Sequence, residues 1–373
     1  MRWRRRVCTS GAECALAALS VYWRLNPGPV DRPDCTTKAV DAQSMAHETR
    51  PKLIDIVGGA NQAREARNGR EPGANQAREA RNGREPAANQ AREPRTAANG
   101  REQPRTADVR RVWPVAVASH VTDVVARRAT LTRSLRLLSL FRYERSDPAR
   151  FYDALAADTA TMVGDLWLAG HGEPPTGRTL LDVGGGPGYF ASAFADAGVR
   201  YIGVEPDPAE MHAAGPANAG APGVFVRASG MALPFADDSM DICLSSNVAE
   251  HVPRPWQLGA EMLRVTRPGG LVVLSYTVWL GPFGGHEMGL THYLGGARAA
   301  ARYTRKHGHP AKNNYGSSLF AVSVADGLKW AASTGAAIAA FPRYHPRWAW
   351  WLTTVPLLRE FLVSNLVLVL QPR

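Results

Sequence analysis

Cysteine is nearly missing from this 373-residue chain: there are four, with Cys8, Cys14 and Cys35 in the first 115 residues and only Cys243 beyond them. That excludes a disulfide framework, and Cys243 falls in an apolar run that reads as a buried strand, so a reducing, cytoplasmic setting is expected. Long apolar runs are missing as well. The run that ends the chain is far short of the about 20 residues that a bilayer-spanning helix needs. Met1 to Arg6 followed by the apolar stretch up to Trp23 has the outline of a signal peptide. Glu13 interrupts it and no small-residue cleavage site follows, so secretion is not expected. Metal-ligand spacing is also lacking. His286 and His292 are six apart, which does not put them on one helix face, and His307-Gly308-His309 has no thiolate or carboxylate beside it. No metal site is expected from these patterns.

Large apolar residues are scarce before residue 115, and charge is unevenly spread. The first 115 residues hold 21 Lys/Arg and 13 Asp/Glu, a net +8 of the chain's +11, so the remainder is only +3. The high pI therefore does not by itself indicate a nucleic-acid enzyme. Residues 59–72 recur without change at 73–86, and a third copy decays from Ala87. A segment with so little to bury cannot offset its ordering entropy, so residues 1–115 are expected to be a disordered basic leader. Perfect copies also suggest duplicated DNA. The functional chain is expected to begin between Val115 and Val121, the leader being an over-extended reading frame. No methionine lies between Met45 and Met162, so that start would use a valine or leucine codon.

What is present is concentrated further on. Leu180-Leu181-Asp182-Val183 reads as a strand, Gly184-Gly185-Gly186-Pro187-Gly188 as a turn, and the run from Tyr189 to Phe194 as a helix. Glycines allow positive φ and a close backbone approach to a ligand, and a helix start offers free N–H groups that suit an anionic group. The spacing is not the dinucleotide pattern, because Tyr189 stands where its third glycine would fall, and no lysine follows as a phosphate loop requires. A second strand over 199–204 ends in Glu205, placed to accept two ribose hydroxyls at a strand's carboxyl end. Strands over 224–226, 241–247 and 271–276 alternate with helices, the last of these helices spanning 256–267 and stopped by Pro268-Gly269-Gly270. This alternation argues for a parallel sheet covered on both faces.

An acid followed by G-x-G-x-G, then Glu205 and the segment ending Leu233-Pro234-Phe235, resembles the class I S-adenosylmethionine-dependent methyltransferases over residues 179–276. The resemblance implies a Rossmann-like, doubly wound α/β fold with seven strands, mostly parallel with an antiparallel last strand at 365–370. It also implies S-adenosylmethionine as cofactor, held by Asp182, Gly184, Gly185, Gly186, Gly188, Glu205, Ser229, Gly230 and Met231, with Asn247 at the strand end beneath the transferable methyl group. Ser229 is a departure, since the family has an acid there, and a hydroxyl accepts the adenine amino group more weakly than a carboxylate does.

The chemistry is expected in the flanking segments. Residues 118–175 read as a helical cap, with Arg150, Phe151 and Tyr152 as lid candidates, and residues 281–362 as substrate-binding insertions. Methyl transfer needs an acceptor lone pair in line with the sulfur–methyl bond, and His251, just past the fourth strand, is the best-placed general base. Tyr152, His286, His292, Tyr344 and Trp348 are the candidate pocket residues. The aromatic and arginine run over 341–352 suits an apolar pocket, a lipid contact or base stacking. The near-neutral core favours a small hydrophobic or aromatic acceptor, with no nucleic acid expected. A nucleic-acid methyltransferase and a binding protein without turnover are the rival readings. The sequence does not set the oligomeric state.

Overall fold

The computed structural model describes residues 53–55, 115–144, 146–213 and 222–373. The expectations for the repeat and for most of the basic leader lie outside the described residues.

The strands are β1 (Leu53–Asp55), β2 (Thr179–Val183), β3 (Arg200–Val204), β4 (Val224–Arg227), β5 (Met240–Ser246), β6 (Thr266–Thr277), β7 (Ala337–Pro342) and β8 (Asn365–Leu370). They form one sheet in the order β1-β4-β3-β2-β5-β6-β8-β7. Neighbours from β1 to β6 pair in parallel, whereas β8 runs antiparallel to both β6 and β7. The expected seven strands and antiparallel last strand are therefore present, with one strand more. The extra strand is Leu53-Ile54-Asp55, which pairs with β4 at the sheet edge. Leu53 and the β-branched Ile54 suit a strand.

Two-residue alternation fixes the core. In β8, Leu366, Leu368 and Leu370 join the cluster on one face of the sheet, and Val367 and Val369 join the cluster on the other. All six residues of β8 are buried, as strands covered on both faces must be. The face of Val367 and Val369 is covered by α1 (Val115–Arg128), α2 (Leu131–Leu140) and α3 (Pro148–His171), which contribute Leu137, Leu166 and the fully buried Trp167. Thr130 caps α2 by accepting the Arg133 N–H, Asp147 caps α3 through Arg150, and Gly172, at φ 75°, ends α3. The face of Leu366, Leu368 and Leu370 carries α6 (Pro255–Val265) and α8 (Val324–Ser333).

Two boundaries differ from the sequence reading. Helix α6 ends at Val265, not at Arg267, because Thr266 pairs with Met240 and its hydroxyl bonds the Met262 carbonyl. Arg267 and Pro268-Gly269-Gly270 therefore belong to β6, where Arg267 meets Asp241 at 2.8 Å. Residues 281–362 are also not all insertion, since β7 joins the sheet and α8 covers one of its faces.

The chain leaves β2 toward β3 and β4 and then returns to the other side of β2 with β5. The strand order thus reverses between β2 and β5, and ligands of such sheets bind at the carboxyl ends of the strands flanking the reversal. The glycine turn follows β2 and Asn247 to His251 follow β5, so both stand at that place.

Candidate active site

The turn after β2 carries three glycines at positive φ: Gly184 at 80°, Gly186 at 54° and Gly188 at 83°. Their surroundings differ. A Cβ on Gly184 would lie 2.5 Å from Val248, and one on Gly188 would strike Phe225. These two glycines are needed for packing as well as for the turn. A Cβ on Gly186 would meet nothing within 4 Å, so this residue presents bare backbone on its open side. Gly184 and Gly185 donate to the Val204 carbonyl at 2.7 and 3.2 Å, which ties the turn to the end of β3.

Asp182 lies beneath the turn, 2% exposed, and accepts the Tyr201 hydroxyl at 2.7 Å. Burial pushes its carboxyl up to about 7, against the lowering effect of the Tyr201 bond. A Cβ on Gly185 would touch Asp182 Oδ2 at 2.8 Å, so the carboxyl supports the turn from below. Glu205 follows β3, half-buried, and accepts the Asp207 N–H at 3.1 Å. Burial raises its pKa while the backbone amides of Asp207 and Gly186 lower it, which places its carboxyl across from Gly186.

Beyond β4, Ser229 accepts the Met231 N–H at 3.2 Å and Gln257 donates to the Met231 carbonyl at 2.8 Å. The Met231 amide is thus used within the chain. A Cβ on Gly230 would press on Val183 at 2.7 Å, which brings this loop against the end of β2.

At the exit of β5, Asn247 has φ 57°, an uncommon conformation for a residue with a side chain, and accepts the Asn365 amide at 2.6 Å. His251 Nδ1 lies 2.8 Å from the Ser318 carbonyl, which can only accept, so Nδ1 carries the proton and Nε2 the lone pair. His286 faces it with ring centroids 5.0 Å apart. Burial lowers the His286 pKa, nearby Glu250 raises it and His251 lowers it. His292 stands apart, 1% exposed, its ring against Trp279 and Tyr293. Burial lowers its pKa too. His286 and His292, both pocket candidates in the sequence, thus stand apart, and the fold joins His286 to His251.

Tyr152, on α3, stacks on Tyr189 at 3.8 Å with 4° between the planes, linking the cap to the residue that follows the glycine turn. Burial, then Glu144, raises the Tyr152 pKa. Tyr344 is 3% exposed, and Asn247 is close enough to lower its pKa against the larger effect of burial. Trp348 is 53% exposed and stands on the surface, away from these groups in burial and character. On the opposite side, Lys312 pairs with Glu210 of the short helix α5 (Pro208–Met211) at 2.8 Å, which joins the insertion to the β3 exit.

Three participants escape sequence inspection. Tyr189 has no motif beyond its place after the glycines. Glu250 is 1% exposed and accepts the Thr277 N–H at 2.9 Å, a partner 27 residues away. Arg343, wholly buried, donates to Ser246 at 3.0 Å and Thr159 at 2.5 Å, and lies 3.9 Å from Asp158, which Arg133 holds by two 2.7 Å bonds. Only a fold brings such residues together.

A doubly wound sheet with an antiparallel penultimate position and a glycine turn at the switch point defines the class I methyltransferase fold. A family model described as a methyltransferase domain matches residues 181–274. A protein of Mycobacterium tuberculosis (strain ATCC 25618 / H37Rv) named as an uncharacterized methyltransferase is 86% identical over 252 residues, which are 68% of this chain and 99% of that protein. An uncharacterized methyltransferase of Mycobacterium avium (strain 104) is 86% identical over 253 residues, covering 68% of this chain and all of the relative. The chain belongs to the class I S-adenosylmethionine-dependent methyltransferases. Among solved structures it is also similar to a SAM-dependent methyltransferase from Thermotoga maritima. That likeness has 17% identity over 62% of this chain and 94% of the other, with a TM-score of 0.36.

Proposed function

We propose that the protein transfers a methyl group from S-adenosylmethionine to a small, apolar or aromatic acceptor. The observation that carries this reading is the turn of Gly184, Gly186 and Gly188, open over Gly186 and faced by Glu205 at the switch point of the sheet. These residues fit the cofactor: bare backbone for its amino-acid end, and a carboxylate for the ribose hydroxyls. Ser229 and Gly230 would border the adenine, and Asn247 the methyl side. When bound, the cofactor supplies an electrophilic methyl group on a cationic sulfur. The chain's own part is to orient the acceptor, exclude water and take up a proton. His251 suits the last task, because Nδ1 is committed to Ser318 and Nε2 keeps its lone pair.

An apolar acceptor is supported by charge and surface. Residues beyond 115 carry a net charge of only +3. Leu290, Tyr293, Leu294, Trp348, Trp351 and Phe361 are all more than 40% exposed, and the Tyr293 and Phe361 rings stack at 6.2 Å. Such a surface suits an oily ligand better than a polyanion. Among the described residues no helix is long and apolar enough to cross a membrane.

Incubation of the full chain with methyl-labelled S-adenosylmethionine and a total cell extract tests the reading. Label is expected in an organic-soluble product, at a rate about 10²- to 10⁴-fold lower in His251→Ala. Label in RNA, with a steep loss on adding salt, would replace this reading with the nucleic-acid one. Bound cofactor with no label in any fraction would replace it with a binding protein.

A further inference from the structure

We infer that Glu250, His251 and His286 form a binding site for one divalent transition-metal ion. One donor atom from each lies within 4.8 Å of the other two. Glu250 and His251 come from the turn Ala249–His251 after β5, and His286 from the start of the turn His286–Leu294 after β6.

The Glu250 carboxyl points to a cation. It is 1% exposed; Oε1 accepts from the Thr277 amide at 2.9 Å, while Oε2 is buried with no partner. An unpaired carboxylate oxygen out of water costs more than a neutral polar atom, and a positive ion is the partner that removes that cost. Both histidines are prepared in the same way. His251 Nδ1 donates to Ser318 at 2.8 Å and His286 Nδ1 to Gly284 at 3.2 Å, so in each ring the lone pair is fixed on Nε2. A backbone carbonyl behind one nitrogen is how metal-binding histidines are oriented. His286 also holds φ 45°, a conformation that a side chain resists and that surrounding structure must impose.

Two imidazoles and one carboxylate suit Zn²⁺ or Fe²⁺, with coordination positions left open, and not Mg²⁺, which prefers oxygen ligands. Tetrahedral zinc needs donors roughly 3.4 Å apart, so the three side chains would close in on the ion as it binds. The site's existence is independent of the methyl-transfer reading; its consequence rests on that reading. With an ion at the β5 exit, His251 Nε2 would be a ligand and not a base; the ion's open position would instead hold an acceptor oxygen as its anion, the proton passing to solvent, which narrows the acceptor to a hydroxyl, phenol or enol compound.

The test is calorimetric titration of chelator-treated full chain with Zn²⁺, beside visible absorption with Co²⁺. One equivalent is expected. His286→Ala and Glu250→Gln should each weaken binding roughly tenfold or more and remove the Co²⁺ bands, while His292→Ala should retain both. Circular dichroism on His286→Ala verifies that the loss is local. No uptake by the unmodified chain, undiminished uptake by folded His286→Ala, or loss only when the surface pair His307 and His309 is replaced would each overturn the inference. S-adenosylmethionine binding on the same samples separates the two readings: cofactor bound without zinc removes the ion site alone.

Discussion

Burial governs the chemistry of Asp182. The folded chain keeps its proton up to about pH 7, whereas an unfolded chain releases it near 3.8. Between those values the folded state binds more protons, so stability falls as pH rises from about 4 to about 7 and is level above that. The size of the effect is on the order of a few kcal/mol, or several degrees in Tm for a chain of this length. Asp182→Asn keeps an acceptor for the Tyr201 hydroxyl and has no proton to lose. Thermal unfolding followed across that range should show the variant gaining on the wild type as pH rises, and a constant difference in Tm would contradict this. The acid was legible in the sequence as part of the glycine motif. Its place beneath the turn was not, because that depends on Tyr201 on the next strand. His286 teaches the same lesson: nothing in the sequence links it to His251, to which the fold brings it from 35 positions away.

At the scale of elements, a buried network of charge joins the cap to the sheet. Asp158 on α3 sits between Arg133 on α2 and Arg343 after β7, with side chains 7%, 16% and 0% exposed. Arg133 also donates to the Arg343 carbonyl at 3.0 Å. Removing the acid leaves two cations facing each other out of water, so Asp158→Ala is expected to destabilise by about 3–5 kcal/mol. Arg343→Met should cost less, under about 2 kcal/mol, since Arg133 still satisfies Asp158 and the unpartnered Arg343 Nε is gone. Urea unfolding of both variants checks the order, and equal costs would mean that the pairing is not what holds the elements together. The strands themselves were largely legible, because a doubly buried strand reads as a continuous apolar run, as β8 does. β7 was not, since Ala337-Ile338-Ala339-Ala340 is weak in strand formers and merges into the aromatic run after it. The ends of α6 and β6 were hidden for a different reason. Pro268-Gly269-Gly270 reads locally as a stop, and it is the pairing of Thr266 with Met240 that makes it part of a strand.

For the whole molecule, the order of the strands decides where chemistry can occur. The reversal between β2 and β5 gathers the glycine turn, Glu205, Asn247 and the Glu250–His251–His286 cluster at the edge formed by the carboxyl ends of the central strands. The family pattern made the cofactor side of that edge readable from sequence, because its residues lie within a few positions of each strand end. The acceptor side was much less readable, since its residues come from segments more than 30 positions apart. The most direct measurement is calorimetric titration of the full chain with S-adenosylmethionine, beside Gly186→Arg. A Cβ at Gly186 meets nothing within 4 Å, but φ 54° strains any side chain there, so circular dichroism on the variant accompanies the titration and separates lost access from a distorted turn. The account predicts micromolar binding by the unmodified chain and none by the variant. No binding by the unmodified chain, or equal binding by both, would contradict it.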